Sequence, residues 1–167
     1  MDCLANIDGV SYFSEQTLPL IPLAKPDCAV RIVGREPTRE IRALADQNPL
    51  VEVTGTVPDV RPYLWSSSVS IVPLRIGGGT RMNIYEAMAA HTPVGSTTIG
   101  AEGLDVHPPR EIRIADTPEA FAEGCIALMN DSTLARSQAL EAWRLVSGNF
   151  SWENVARQFE GILQSAA

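Results

Sequence analysis

The sequence has few of the residues that build metal sites and disulfide frameworks. It contains two histidines, and its three cysteines, Cys3, Cys28 and Cys125, have no close spacing. This pattern predicts reduced thiols, with no metal and no cofactor. No apolar run approaches the ~18 residues that a membrane span needs. Residues 1–6 also lack the basic flank and the apolar stretch of a signal peptide.

Basic residues are scarce as well. Thirteen Lys and Arg stand against 20 Asp and Glu, which gives a formal net charge of −7. Without a basic stripe, this balance argues against nucleic acid as a partner. A small phosphate-bearing ligand stays compatible, because it needs only a few backbone N–H groups and an arginine or two. The prediction is a cytoplasmic protein, with a peripheral attachment to the inner membrane left open.

What the sequence does have is a regular alternation of short apolar runs and longer mixed ones, within a length that suits one domain over residues 1–167. Predicted strands cover residues 29–33, 51–54, 69–72, 93–97 and 111–115, and predicted helices cover 37–47, 59–66, 80–90, 118–130, 132–147 and 152–164, after a helix within 6–23 that is interrupted or ends near its prolines. This order predicts an α/β, Rossmann-like three-layer domain with a parallel sheet. Ligands of such sheets bind at the carboxyl ends of the strands.

The most informative segment runs from a predicted strand through three glycines into a helix, over residues 72–88. Gly77, Gly78 and Gly79 allow the backbone to approach a ligand closely and to adopt positive φ. Thr80 is a suitable N-cap, so the free N–H groups of the helix would face the same loop. The segment therefore predicts an anion site that suits phosphate.

Charged residues flank this loop on both sides. Arg75 and Arg81 can add charge-assisted hydrogen bonds to phosphate oxygens. Glu86 follows Thr80 by six residues, about 9 Å along a helix, where a carboxylate can accept hydrogen bonds from a ribose diol. No Gly-Lys-Ser/Thr follows the glycines, and Met82 replaces the third glycine of a dinucleotide motif, so neither a Walker A loop nor a dinucleotide site is predicted. A plain flexible turn and a solvated glutamate remain the alternative interpretation.

These residues, within residues 30–163, resemble the C-terminal domain of the "group 1" (family 4) nucleotide-sugar glycosyltransferases. Those are retaining enzymes with two facing Rossmann domains, the GT-B fold, and the similarity points to a bacterial branch associated with surface-polysaccharide synthesis. The matching segments are VGR at 33–35, GTVPDV at 55–60, PLRIGGGTR at 73–81, YEAMA at 85–89, PV at 93–94, GAEGL at 100–104 and FSWE at 150–153. Residues 1–2 and 6–8 look like the segment just after the first strand of that domain.

The resemblance implies the donor-binding half of a GT-B enzyme that transfers a hexose from a nucleoside diphosphate sugar to a hydroxyl acceptor. It implies that Glu86 holds the donor ribose and that the first glutamate of the family's Glu-x7-Glu motif is replaced by Gly78. The loop at Val57 and Pro58 would lie by the nucleobase. The implied donor-binding residues are Arg35, Val57, Pro58, Arg75, Gly77, Gly78, Gly79, Thr80, Arg81 and Glu86, whereas no catalytic residue is assigned.

The chain also departs from the family. His91 stands where a glycine is common, Gly95 where a hydrophobic residue is common, and Asn83 where a basic residue is common. The N-terminal acceptor domain is missing from the sequence, which suggests a fragment or a truncated product. A non-catalytic remnant that binds a nucleotide or a protein is therefore the alternative. An epimerase of the same fold class is disfavoured, because no tyrosine is followed by lysine at the fourth position.

The family's first strand, which lies at the centre of its sheet, is also absent. The predicted strands at residues 29–33 and 69–72 would then lose the neighbour between them. Unpaired backbone groups at central edges are costly. The alternatives are that the two strands pair directly, that another chain donates a strand, or that residues near Met1 are recruited. We expect direct pairing, or pairing with another chain through self-association of the exposed edges, in preference to an open gap.

Overall fold

The computed structural model describes residues 3–150 and 152–165. Its strands are β1 (Val30–Val33), β2 (Val51–Gly55), β3 (Ser70–Val72), β4 (Val94–Ser96) and β5 (Arg113–Ile114). Its α-helices are α1 (Leu4–Tyr12), α2 (Arg39–Gln47), α3 (Arg61–Trp65), α4 (Met82–Ala89), α5 (Pro118–Asn130), α6 (Ser132–Asn149) and α7 (Trp152–Ser165). The predicted alternation of strands and helices is confirmed. No helix in the described ranges combines the length and apolar character that a bilayer crossing requires.

The strands form two parallel sheets. One contains β1 and β2, and the other has the order β3–β4–β5. In the first, Val30 is opposite Val51, and the register shifts between Ile32 and Val33. In the second, Ser70 is opposite Val94. The parallel arrangement agrees with the predicted Rossmann-like α/β class, because parallel strands need long crossover connections, which are usually helical.

The expected direct pairing of the strands at 29–33 and 69–72 is wrong. Within the described residues, β1 and β3 belong to different sheets, and α1 already begins at Leu4. Both strands nevertheless contribute to one hydrophobic cluster, which includes Ile32 and has Ile71 packed against it. Apolar side chains therefore join the two sheets where backbone pairing does not. Pairing of either edge with another chain stays a prediction.

Two hydrophobic clusters hold the helices on the sheets. The first joins α2, α5 and the helical segment after α1 to the β1–β2 sheet, with Phe13 packed edge-on against Phe121 at 5.8 Å between ring centroids. The second joins α4 and α6 to the β3–β5 sheet, and Ile84, Met88 and Val94 are fully buried there. The first cluster also reaches Ile71 of β3, so it connects the two sheets, whereas the second lies on the β3–β5 sheet alone.

The N-terminal helix is longer than a single α-helix. Beyond Tyr12 it continues as a π-helical segment, Phe13–Thr17, and a 3₁₀ turn, Leu18–Leu20. The predicted end near the prolines is therefore confirmed. The predicted helix at 37–47 begins at Arg39, since Thr38 is the N-cap and accepts a hydrogen bond from the Ile41 amide at 3.4 Å.

The three cysteines are free thiols, as expected. Burial raises the pKa of Cys125 to about 12, so this thiol is neutral inside the first cluster. Residues 1–2 and Ser151, which contributed to the family resemblance, lie outside the described residues.

Candidate functional site

The candidate site is the glycine loop, defined as residues 75–81, which connects β3 to α4. Residues 75–80 are exposed, so the main chain of the loop is open to solvent. Gly77 has φ +98° and Gly79 has φ +128°, whereas Gly78 does not need a positive φ. Both values are unfavourable for residues with a Cβ atom, which explains glycine at these two positions.

The helix that follows the loop has no side-chain cap. α4 begins at Met82, and the preceding residue, Arg81, has the left-handed conformation with φ 47°. The prediction that Thr80 caps this helix is wrong, because the helix starts two residues after Thr80 and Arg81 occupies the cap position. No side chain therefore covers the first amides of α4, which leaves the positive end of the helix available to an anion.

α1 packs against one side of the glycine loop. A Cβ atom at Gly77 would lie 2.9 Å from the Cβ of Ala5, so this glycine allows the loop to pack against the first turn of α1. A Cβ atom at Gly9 would lie 2.7 Å from the carbonyl oxygen of Pro73. Glycine at position 9 therefore brings α1 against the end of β3, where the loop begins.

Arg75 holds the loop to α1. Its Nη2 and Nε donate to the carboxylate of Asp8 at 2.5 and 3.1 Å, and its guanidinium lies 4.0 Å from the ring centroid of Tyr12. The hydrogen bond to Asp8 raises the pKa of Arg75. Direct phosphate binding by Arg75 stays a prediction, and it would require the guanidinium to share or leave Asp8.

Arg81 points inward. Its residue is 8% exposed, and Nη2 donates to the carbonyl oxygens of Gly77 at 3.0 Å and Ile99 at 2.8 Å. The buried Nε has no hydrogen-bond partner among the described residues. The predicted charge-assisted bond to phosphate stays a prediction, and the guanidinium instead contacts main-chain carbonyls on both sides of it.

Glu86 is exposed on α4, four residues after its first residue, which is about 6 Å along the axis. Its carboxylate makes no hydrogen bond or ion pair with any residue in the described ranges. The preceding residue, Tyr85, packs on Phe150 with ring centroids 4.5 Å apart, and burial raises its pKa. No contact of the Glu86 carboxylate with another described residue explains a glutamate at this position.

The other predicted site residues follow the β1–β2 sheet. Arg35 is exposed two residues after β1, and Val57 and Pro58 follow β2, which ends at Gly55 with φ 72°. The structure therefore divides the ten predicted residues between the two sheets. It gathers seven of them on the β3–α4 unit, namely Arg75, Gly77, Gly78, Gly79, Thr80, Arg81 and Glu86.

Sequence analysis missed the contribution of α1 and of the loop after β4. Asp8, Gly9 and Tyr12 support the glycine loop from α1, and Ile99 provides a carbonyl for Arg81. A glycine inside a helix was the available signal for α1, because it often marks close approach of another backbone. No sequence signal identifies Ile99, since its contact is through the main chain. Among the described residues, no three His, Cys, Asp or Glu side chains gather as a metal site would require.

Fold and site together define a Rossmann-like parallel α/β domain with an exposed glycine loop and an uncapped helix after β3. The chain belongs to the family described as "Glycosyl transferases group 1", which matches residues 2–131. This match confirms the resemblance and places the chain among glycosyltransferases. A relative from a bacterial cps region agrees with the predicted branch.

That curated relative is an uncharacterized 44.6 kDa protein in the cps region of Klebsiella pneumoniae, which is 21% identical over 157 residues. The match covers 90% of this chain and 40% of the relative, so the chain spans well under half of that protein. Two solved structures show the same fold. The C-terminal domain of the group 1 glycosyl transferase LpcC from Francisella tularensis superposes with a TM-score of 0.74 at 17% identity, covering 86% of this chain and 80% of that domain.

The second structure is a mutant of S. aureus TarM in complex with fondaparinux, alpha-GlcNAc-glycerol and UDP. Its TM-score is 0.79 at 16% identity, with 96% of this chain and 33% of TarM covered. At these identities, both structures are evidence for the fold alone.

Proposed function

We propose that this chain is the donor-binding domain of a retaining glycosyltransferase, and that it binds a nucleoside diphosphate sugar at the glycine loop. The observation that carries the proposal is the uncapped N-terminus of α4 directly behind an exposed loop with two positive-φ glycines. Free amides and the helix dipole at such a position favour a phosphate group. The family match and the UDP bound to the similar TarM structure support a nucleotide as the bearer of that phosphate.

The same groups fit the chemistry of transfer. When a hexose leaves a nucleoside diphosphate, negative charge develops on the departing phosphate. Preorganised amides stabilise such a charge more effectively than water does, because they need no reorganisation during the reaction. The amides of the glycine loop and of Met82 and Asn83 are the candidates for this role. Glu86, which has no partner among the described residues, is the candidate for the ribose hydroxyls.

The hydroxyl acceptor needs a second wall. Transfer requires the acceptor oxygen to lie about 3–3.5 Å from the anomeric carbon, which one binding face cannot ensure. The Klebsiella relative and TarM are each more than twice as long as the region matched in them. We assign the second wall to an N-terminal acceptor domain and place the whole enzyme in the cytoplasm, where nucleotide sugars are used.

Nuclear magnetic resonance with a nucleotide panel tests the proposal. UDP, GDP, ADP and their nucleosides are titrated into the 167-residue protein, and amide shifts are followed. We expect a diphosphate to shift residues 76–83, whereas its nucleoside should leave that loop almost unchanged. Glu86→Gln should weaken the diphosphate complex about tenfold or more, since a hydrogen bond to a charged group contributes ~1.5–3 kcal/mol.

Glu123→Gln, an exposed position on α5, is the matched control and should bind like the wild type. The melting temperature should not change in either variant, because Glu86 has no structural partner in the described part of the chain. Diphosphate-induced shifts confined to residues outside the glycine loop and α4 would overturn the proposal.

A further inference from the structure

Arg81 is a buried cation without a carboxylate partner. Its residue is 8% exposed, and among the described residues it forms no ion pair with Asp or Glu. Burying a charge is unfavourable unless other groups replace its water shell. Here two carbonyl oxygens, those of Gly77 and Ile99, replace part of that shell at Nη2, while the buried Nε has no partner among the described residues. Because burial of this charge is unfavourable, packing alone does not explain an arginine at position 81.

The two carbonyls belong to different loops. Gly77 lies in the glycine loop after β3, and Ile99 lies in the loop after β4. The second loop is fixed by other contacts, since the Thr97 hydroxyl donates to the Leu74 carbonyl and accepts from the Gly100 amide at 2.8 Å. The Thr98 amide also donates to Asp116 at 2.8 Å. Arg81 therefore ties the glycine loop to a neighbouring loop that has several hydrogen bonds of its own.

We propose that Arg81 is a positioning residue, which holds the glycine loop in its phosphate-binding shape by joining Gly77 to the loop after β4. This inference rests on the proposed nucleotide-binding function. It differs from the role predicted from sequence, in which the Arg81 guanidinium contacts phosphate directly. The left-handed backbone of Arg81 at the start of α4 places the guanidinium beneath the loop, where one Nη atom reaches both carbonyls.

Arginine suits this role better than lysine. Its planar guanidinium presents several N–H donors in fixed directions and remains charged when buried. A lysine ammonium is a compact point charge on a flexible stem, which binds phosphate well but does not hold its donors in fixed directions. Arg81→Lys therefore separates the two roles. It should restore function if Arg81 contacts phosphate and should fail to do so if Arg81 positions the loop.

Backbone dynamics of the nucleotide-free protein provide the first readout, so this test does not depend on nucleotide binding. In Arg81→Lys and Arg81→Met, we expect amide order parameters of residues 77–80 to fall from about 0.85 to about 0.6 or lower. Residues 97–101 should stay rigid, because Thr97 and Thr98 still hold them. Arg110→Met is the matched control. It removes an arginine that pairs with Glu141 at 2.6 Å, and it should leave the glycine loop rigid.

UDP affinity is the second readout. We expect a loss of about tenfold in both Arg81 variants and none in Arg110→Met, the size of one lost charge-assisted contact. An unchanged loop in both Arg81 variants, or full recovery of rigidity and affinity in Arg81→Lys, would overturn the inference. If the wild type binds no nucleotide, the proposed function fails, while the order parameters still decide the role of Arg81.

If the variants do not fold, the wild type still provides an answer. With ¹⁵N-labelled arginine, the Arg81 Nη protons should exchange slowly and show nuclear Overhauser contacts to Gly77 and Ile99. A freely rotating, rapidly exchanging guanidinium would contradict the inference.

Discussion

The β3–β5 sheet and the β1–β2 sheet are stabilised in different ways. At the end of β3 the contacts are buried, and the Ser96 hydroxyl donates to the Val72 carbonyl at 3.1 Å beside the Thr97 contact to Leu74. In the β1–β2 sheet, the clearest side-chain contact is the surface pair of Arg31 and Glu52, at 3.0 Å. Exposed ion pairs contribute little to stability. The glycine loop therefore follows β3, whose end is held by buried side-chain hydrogen bonds.

The comparison predicts unequal losses from matched core truncations, which is the largest effect we expect. Ile84 is fully buried among fully buried neighbours on α4, whereas Ile32 is 4% exposed in β1, whose other edge is unpaired within the described residues. Ile84→Ala should reduce the free energy of unfolding by about 4 kcal/mol, and Ile32→Ala by about 2 kcal/mol, since a site near an open edge collapses more easily. Urea denaturation measures both. Equal losses would remove the distinction between the two sheets.

Glycine substitutions sharpen the comparison within the β3–β5 half. A Cβ atom at Gly100 would lie 2.3 Å from the Ser96 hydroxyl and 2.6 Å from the Val72 carbonyl oxygen. Gly100→Ala should therefore cost about 2 kcal/mol, because the buried strand end cannot move aside. Gly78→Ala is the matched control, since its Cβ would meet nothing within 4 Å and its φ is not positive.

Gly78→Ala should be neutral or stabilise the protein by up to about 1 kcal/mol, because alanine reduces the conformational freedom of the unfolded chain. Thermal unfolding of the two variants side by side checks both expectations. A Gly100→Ala protein as stable as the wild type would show that the end of β3 is less rigid than its contacts indicate.

The difference between the two sheets also explains how much the sequence could predict. The β3–α4 unit was found from local signals, because positive-φ glycines and a helix start are encoded within a few residues. The N-cap of α4 was assigned wrongly. Arginine is a poor residue type for an N-cap, but the Arg81 side chain is held by the nearby Gly77 carbonyl and by the Ile99 carbonyl, which is distant in the sequence. No local pattern reports such a contact.

Whether β1 pairs with β3 depends on interactions between residues that are still further apart in the sequence. A strand's own sequence shows that it will be extended, but the identity of its neighbour depends on what lies between the two strands in space. The apolar pattern of Val30, Ile32 and Ile71 was equally compatible with direct pairing and with two sheets that share a core. Side-chain packing around Phe13 and Phe121 favours the second arrangement.

The smallest expected effect concerns His91, at the opposite end of α4 from the glycine loop. His91 has φ 57° directly after the helix, and its amide donates to the Met88 carbonyl at 3.1 Å. This is the left-handed position at which helices commonly end in glycine. The His91 ring stacks on Trp143 with centroids 5.0 Å apart and an interplanar angle of 20°.

These two contributions should nearly cancel. His91→Gly relieves about 1 kcal/mol of backbone strain and loses a ring contact of similar size, so the free energy of unfolding should change by less than about 0.5 kcal/mol. In a Trp143→Ala background the stacking is already lost, and His91→Gly should then stabilise the protein by about 1 kcal/mol. A double-mutant cycle followed by urea denaturation measures the difference. If the effect of His91→Gly is the same in both backgrounds, the ring contact does not compensate for the backbone strain. The end of α4 would then be held by its backbone hydrogen bonds and by the buried core around Met88.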